Sequence, residues 1–368
     1  MANNIKPRVA LVHYWLVNMR GGEKVLENLC DLFPEADIYT HVYNKSHISN
    51  KINAHNIKTT FIQNLPKALT KYQTYLPLMP LALEQLDLRG YDLVISSESG
   101  PAKGVITDPN TLHICYCHSP MRYVWDMYHD YREQAGIIKR MAMPALVHYL
   151  RTWDQLSANR VDHFIANSSF IAKRINKAYR RDATVIHPPV SFDEFDIATI
   201  PLKNYYLLIG QLVNYKRADL AVKAFNAMNK PLIIIGEGEQ MAELKKIAGP
   251  NITILGRQPF DVIKHHYAHC QALIFPGVED FGIVPLEAMA SGRPVIAYAK
   301  GGALETVIND KSGILFHEQT EESLIDAVNH YESVKDSFNT HEIRAHAKNF
   351  SESTFKSRIM SFIEKHYK

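Results

Sequence analysis

The residues best suited to chemistry lie in Pro276–Gly302, which reads PGVEDFGIVPLEAMASGRPVIAYAKGG. A short apolar run ends just before it, so Glu279, Asp280, Phe281 and Gly282 fall in a loop at a strand's C-terminal end. A helix is expected from Pro285, because proline at a first helical position loses no intrahelical hydrogen bond. The backbone N–H groups around Ile283 and Val284, with the positive end of that helix, make a site for an anion. Glu287 follows Glu279 by eight residues, placing a second carboxylate in the first turns, where it can hold a diol beyond the anion. As an isolated pair these glutamates fit an ordinary solvated loop equally well, and the surrounding pattern has to decide.

Cations that could meet the same anion are Lys216 and Arg217, which follow the strand-end turn Gly210–Gln211. Gly236 closes another strand and lets backbone approach a ligand, as does the pair Gly21–Gly22 after the first strand. Arg257 follows Gly256 at a further strand end, and His118 follows the run HICYC. Glu305, after Gly301–Gly302, could bind a hydroxyl or cap a helix. His265, His269 and Cys270 share a region, but a polar helix face explains them more simply than a metal does. No Asp-x-Asp motif occurs, and no metal or other cofactor is expected.

The elements that must position these residues alternate in type. Apolar runs at 8–13, 37–42, 93–96, 113–117 and 163–167 read as buried strands, and the 143–160 stretch as a helix. Residues 188–204, with Pro188, Pro189 and Pro201, read as a linker. The rhythm then restarts, with strands at 205–209, 232–235, 252–255, 272–275 and 294–297. Helices are expected at 218–228, 240–248, 260–269, 285–291, 321–334 and 355–366. This predicts α/β architecture with two parallel, doubly wound sheets. The first domain spans residues 1–187, joined by a final helix near 352–368, and the second spans 205–351.

Length and composition agree. The 368 residues exceed one ordinary core, and 46% hydrophobic with 21% charged residues is a globular balance. A net charge of +3 is too small to suggest nucleic-acid binding. The four cysteines suggest no disulfide framework, and Met1–Lys6 shows no signal-peptide pattern. A cytoplasmic protein is expected, with the inner face of the cytoplasmic membrane as a place where it could rest.

The ordered set EDFGIVPLEAMASGRPVI, CYCHSPMRYVWD at 115–126, IANSSFIA at 165–172, IHPPV at 186–190, YKRADLA at 215–221 and GGALETV at 301–307 resembles a known family. It is similar to the retaining glycosyltransferases with seven residues between paired glutamates, which include sucrose synthases and bacterial mannosyltransferases. The resemblance covers nearly the whole chain. It implies two facing Rossmann-like domains around a cleft (the GT-B architecture), with a C-terminal helix crossing back to the first.

By the same resemblance the ligand is a nucleotide-sugar. Glu279 would contact the donor sugar, Glu287 the ribose, and Lys216 the diphosphate. The amides of Asp280, Phe281 and Gly282 would hold the sugar, and those of Ile283 and Val284 the phosphates. His118 would face the sugar, and Arg257 would begin the loop that meets the base. The sequence departs from the pattern at Gln211, where the family usually carries arginine; either Arg217 or another cation compensates, or donor binding is weaker than typical. The wording of the motifs looks most like mannosyltransferases of O-antigen and exopolysaccharide assembly, so GDP-mannose is the first choice of donor.

The acceptor expected from that resemblance is a glycan, lipid-linked in the first instance. The mixed basic and apolar stretches Lys67–Met79 and Ile137–Arg151 could meet an anionic membrane surface, or could equally be helices packed on the core. A UDP-sugar donor, a nucleotide-sugar epimerase and a non-catalytic binding subunit are the alternatives. Oligomeric state is not legible.

Overall fold

The computed structural model describes residues 7–198 and 203–367. Met1–Lys6 and linker residues 199–202, with Pro201, lie outside the described residues. The chain divides into two compact units: one runs to His187 and takes back the chain from Lys356, and the other runs from Pro188 to Phe355.

The first unit holds seven parallel strands: β1 (Val9–His13), β2 (Asp37–Thr40), β3 (Ile57–Thr59), β4 (Leu93–Glu98), β5 (Leu112–Cys117), β6 (His163–Ala166) and β7 (Ala183–Val185), in the order β3-β2-β1-β4-β5-β6-β7. The central strands β1, β4 and β5 are almost wholly buried because both faces are covered. β1 is buried throughout, and helix Gly21–Leu32 lays Val25, Leu26, Leu29 and Cys30 against the interior. Helix Ile137–Ser157 starts earlier than the expected position 143 and carries Pro144 inside it. Its first turns are exposed, so local polarity gave no signal for the start. Helix Glu352–His366 begins where the final helix near 352–368 is expected, and its later part belongs to this unit: Lys356 pairs with Asp31 at 2.6 Å.

The second unit holds six parallel strands: β8 (Tyr206–Ile209), β9 (Leu232–Ile235), β10 (Ile252–Gly256), β11 (Leu273–Phe275), β12 (Val295–Tyr298) and β13 (Gly313–Phe316), in the order β10-β9-β8-β11-β12-β13. The described part of 188–204 is anchored in this unit. Val190 bridges to Ser351, and Phe195 is buried with its ring 5.8 Å from that of Tyr267. The four cysteines are all free and buried. No helix among the described residues is long and apolar enough to cross a membrane.

His41 and His113 of the first unit are fully buried. His41 bonds Thr60 and the Pro101 carbonyl, and His113 bonds Ser96 and the Arg160 carbonyl. Burial pushes their pKa values down, to about 3 and about 4. An unfolded histidine takes up a proton near pH ~6.5, so below that pH protonation favours the unfolded chain until the folded value is reached. Each group then costs about 1.4 kcal/mol per pH unit, or about 2 kcal/mol by pH 5. Trp15, Trp125 and Trp153, the three tryptophans of the chain, all lie in this unit, so their fluorescence reports its unfolding. The urea midpoint of that signal is expected to fall clearly between pH 7 and pH 5. An unchanged midpoint would contradict the buried, neutral assignment.

Candidate active site

In an open parallel sheet, ligands bind beyond the strand ends where the strand order reverses. In the second unit that point lies between β8 and β11, because the chain winds outward through β9 and β10 before returning to β11. The loops leaving those two strands carry the candidate residues. Gly210, Gln211, Lys216, Pro276, Gly277 and Glu279 line a small pocket there. Lys216 ends the short 3-10 turn Asn214–Lys216 after β8, and its Nζ lies 2.7 Å from Oε1 of Glu279 in the loop after β11. Both side chains are about one-fifth exposed.

Local backbone geometry makes this pairing available. Gly277 lies so close to the 3-10 turn that a Cβ would stand 2.6 Å from Lys216 Cα, so no larger residue fits without moving that turn. The neighbouring loop is tied down as well: Leu212 N–H donates to the Glu237 carbonyl at 2.8 Å, and Gln240 donates to Asn214 Oδ1 at 2.6 Å. Gly236, at the end of β9, donates its N–H to the Gly256 carbonyl. On the other side the Gly302 N–H holds the Glu279 carbonyl at 2.9 Å, and Phe281 is buried with its ring 5.9 Å from that of Phe350.

The helix of the glutamate motif is Ile283–Ala290, capped by Gly282 at φ 85°. It therefore starts two residues before the expected Pro285. A left-handed cap that glycine adopts without strain allows this earlier start. Pro285 becomes the third helical residue and still breaks no intrahelical bond, since the first four N–H groups of a helix have no partner within it. Ile283 and Val284 thus open the helix and keep their place at its positive end. Glu287 is half-buried and accepts the Tyr267 hydroxyl at 2.7 Å. Desolvation raises its carboxyl above the ordinary range, while the Tyr267 bond pulls the other way. Tyr267 is a partner that the sequence does not advertise, since it sits at helical spacing among core residues.

Two expected cations lie outside the lining of this pocket. Arg217 adopts φ 54°, and its Nε bonds Asp219 at 3.0 Å, so its guanidinium is engaged by its own helix and does not line the pocket. Gln211, where the resemblance leads one to expect arginine, is exposed at the pocket's rim. Arg257 is exposed after β10, two strands away from β8. The histidines at 265 and 269 stack with ring centroids 4.2 Å apart, and among the described residues no group of three or more His, Cys, Asp or Glu is placed to hold a metal.

The first unit has its own reversal point, between β1 and β4. Gly21 and Gly22 open the helix that follows β1, and Tyr14 lies over Gly22. His118 follows β5, with its N–H donating to the Glu98 carbonyl at 2.8 Å and its carbonyl accepting from Asn167 at 2.9 Å. Its ring is partly exposed and bonds Ser97 at 2.8 Å.

Two family models match successive parts of the chain. The Glycosyltransferase Family 4 model covers residues 19–194, and the Glycosyl transferases group 1 model covers 192–352. Each model matches a little under half of the chain, and together they cover residues 19–352. The alpha-1,3/1,6-mannosyltransferase of Schizosaccharomyces pombe is 24% identical over 84% of this chain and 70% of its own. The GDP-mannose-dependent alpha-(1-6)-phosphatidylinositol monomannoside mannosyltransferase of Mycobacterium tuberculosis is 30% identical over 44% of this chain. An uncharacterized glycosyltransferase of Methanocaldococcus jannaschii is 28% identical over 46% of it. The match spans about half the length of the latter two, at 50% and 51%. Among solved structures, Anabaena HepE in complex with UDP superposes with a TM-score of 0.71 at 16% identity, over 97% of this chain and 100% of HepE. Sucrose-phosphate synthase of Thermosynechococcus elongatus also gives 0.71 at 16% identity, over 98% of this chain and 99% of its own. Both likenesses concern the fold, which is α/β with two Rossmann-like parallel sheets.

Proposed function

We propose that this glycosyltransferase moves mannose from GDP-mannose to a hydroxyl of a lipid-linked glycan, with retained anomeric configuration and without a metal, in bacterial surface polysaccharide assembly. The observation that carries the reading is the Lys216–Glu279 pair at the reversal point of the second sheet. Lys216 supplies the charge that a departing diphosphate needs, together with the N-terminus of helix Ile283–Ala290. Glu279 accepts from the sugar hydroxyls, and Glu287 from the ribose diol. The amides of Asp280, Phe281 and Gly282 hold the sugar, and those of Ile283 and Val284 the phosphates. His118 acts on the sugar as well, a role taken from the family resemblance. The acceptor attacks from the face that the diphosphate leaves, and the leaving phosphate takes its proton.

GDP-mannose is favoured because two relatives carry mannosyltransferase names, one of them GDP-mannose-dependent. A UDP-sugar is the second reading, since the HepE structure holds UDP. An anionic membrane as the place of work draws support from helix Ile137–Ser157, whose first turns expose Ile137, Ile138 and Met141 beside Lys139 and Arg140.

The test is a thermal-shift series with GDP, UDP, ADP and their sugars, without and with magnesium. Ligand at a hundredfold excess over Kd stabilises by about 2.7 kcal/mol. A shift selective for GDP and GDP-mannose, equal with and without magnesium, is the expected result. A UDP-selective shift overturns the donor, and a shift that needs magnesium overturns the metal-free clamp. Sugar release that ignores added glycan acceptor overturns transfer itself.

A further inference from the structure

Four polar side chains form one connected series at the C-terminal edge of the first unit's sheet. Glu23 lies in the first turn of helix Gly21–Leu32, His13 ends β1, Ser97 lies in β4, and His118 follows β5. Oε1 of Glu23 is 3.6 Å from His13 Nε2; His13 Nδ1 is 3.1 Å from Ser97 Oγ; the same Oγ is 2.8 Å from His118 Nε2. Glu23, His13 and Ser97 are buried, and only His118, at the end of the series, is partly exposed. Helix capping explains Glu23 only in part: its Oε2 accepts the Arg20 N–H at 2.9 Å, which leaves Oε1 turned to His13.

The donors and acceptors allow few arrangements. An ionised carboxylate only accepts, a hydroxyl has one proton to give, and a neutral imidazole has one donor and one acceptor nitrogen. His13 Nε2 is buried with no hydrogen-bond partner, and it faces the carboxylate. A lone pair there would oppose negative charge, so Nε2 carries the proton. The 3.6 Å gap exceeds the ~2.7–2.9 Å of an ionic hydrogen bond, so no such bond ties the ring to Glu23, and a single proton on Nε2 leaves Nδ1 to accept. Ser97 must therefore donate to His13, and its oxygen can only accept from His118.

We propose that Glu23, through His13 and Ser97, fixes His118 as its Nε2–H tautomer, leaving Nδ1 as an acceptor for a hydroxyl of the sugar. Glu23 and His13 are then positioning residues, acting on His118 without touching substrate. This use of the tautomer rests on the reading of His118 as a group that meets the sugar. The aromatic neighbours add no ionised group beside the two rings. Tyr14 packs on His13 at 4.1 Å between centroids and Tyr116 on His118 at 5.1 Å, and burial holds both phenols neutral.

The test uses the full chain with 15N-labelled histidine and long-range proton–nitrogen spectra, with His118 assigned by the signal lost in His118→Asn. The expected wild-type pattern is protonated Nε2 and bare Nδ1 on His118 at neutral pH. Glu23→Gln offers His13 a donor in place of a pure acceptor. It should convert a substantial fraction of His118 to the Nδ1–H form, although it does not touch that ring. Glu23→Asp, which keeps an acceptor, should restore the wild-type pattern. Ser97→Ala should uncouple the two rings, so that adding Glu23→Gln to it changes nothing further. An Nδ1–H form of His118 in the wild type, or spectra unmoved by Glu23→Gln in a folded protein, overturns the proposal. In turnover, Glu23→Gln is expected to lower kcat/KM roughly tenfold with an unchanged melting temperature. If the spectra respond as stated and no donor sugar is transferred by any variant or by the wild type, the relay stands and the functional reading falls.

Discussion

Lys216→Ala is expected to cut sugar transfer by about a hundred- to a thousandfold, while the melting temperature stays within about 4 °C of the parent. The two parts follow from different physics. A fixed cation aimed at charge that develops during reaction is worth that factor when removed. The Lys216–Glu279 pair, by contrast, is about one-fifth exposed on both sides, so solvent screens it and its worth to the fold is under about 1 kcal/mol. In a unit of this size that corresponds to about 2–4 °C. Stability and turnover therefore separate at this residue. Near-normal turnover in a folded Lys216→Ala protein would remove the pocket between β8 and β11 from the mechanism.

The partner residue sharpens the assignment. Glu279→Gln keeps the side chain's shape and frees the Lys216 ammonium from its carboxylate. Binding of the bare nucleoside diphosphate should therefore persist or strengthen. The additional stabilisation from the attached sugar should fall, because a neutral amide accepts hydroxyl protons less strongly than a carboxylate. Lys216→Ala should show the reverse: loss of the diphosphate's contribution whichever sugar is attached. Arg217 is not expected to substitute, because Asp219 already holds its guanidinium.

How much of this was legible in the sequence differs between the two kinds of element. The central strands announced themselves because both of their faces are buried, which produces unbroken apolar runs such as LIII at Leu232–Ile235. β3 and β7, with sequences IKT and ATV, sit at the sheet's edge with part-exposed side chains, and so carried no such run. The switch-point residues could be named because glycine, carboxylate and cation recur immediately after strand ends, where a ligand must sit. Partnerships made across the sheet could not. Tyr267 on Glu287 and Ser97 between two histidines depend on which strands become neighbours. A strand order that runs β1-β4-β5 places His13, Ser97 and His118 side by side, although 84 and 21 positions separate Ser97 from its two partners.

Lys103 is the strongest case of a role hidden from the sequence, and it carries the largest expected effect on stability. In the run ESGPAKGV it reads as a solvated loop lysine, yet it is wholly buried. Its Nζ lies 2.7 Å from Glu98 Oε1 and also bonds Asp154, both of them equally buried. Asp154 in turn accepts from Trp125 at 2.7 Å and from Tyr179 at 2.8 Å. Burial works against every charge here. It raises the Glu98 carboxyl, and it would lower Lys103 were its ammonium not held above the ordinary range by Asp154 and Glu98. Such a cluster is worth little against an apolar core of the same volume, but removing one member strands the others. Lys103→Met should therefore destabilise the first unit by about 3–5 kcal/mol, seen as a fall of about 10 °C in the tryptophan-monitored melt. Adding Glu98→Gln and Asp154→Asn removes the stranded charges and should recover part of that loss. A single variant that melts like the wild type would show that water reaches the cluster, and recovery would then have nothing to restore.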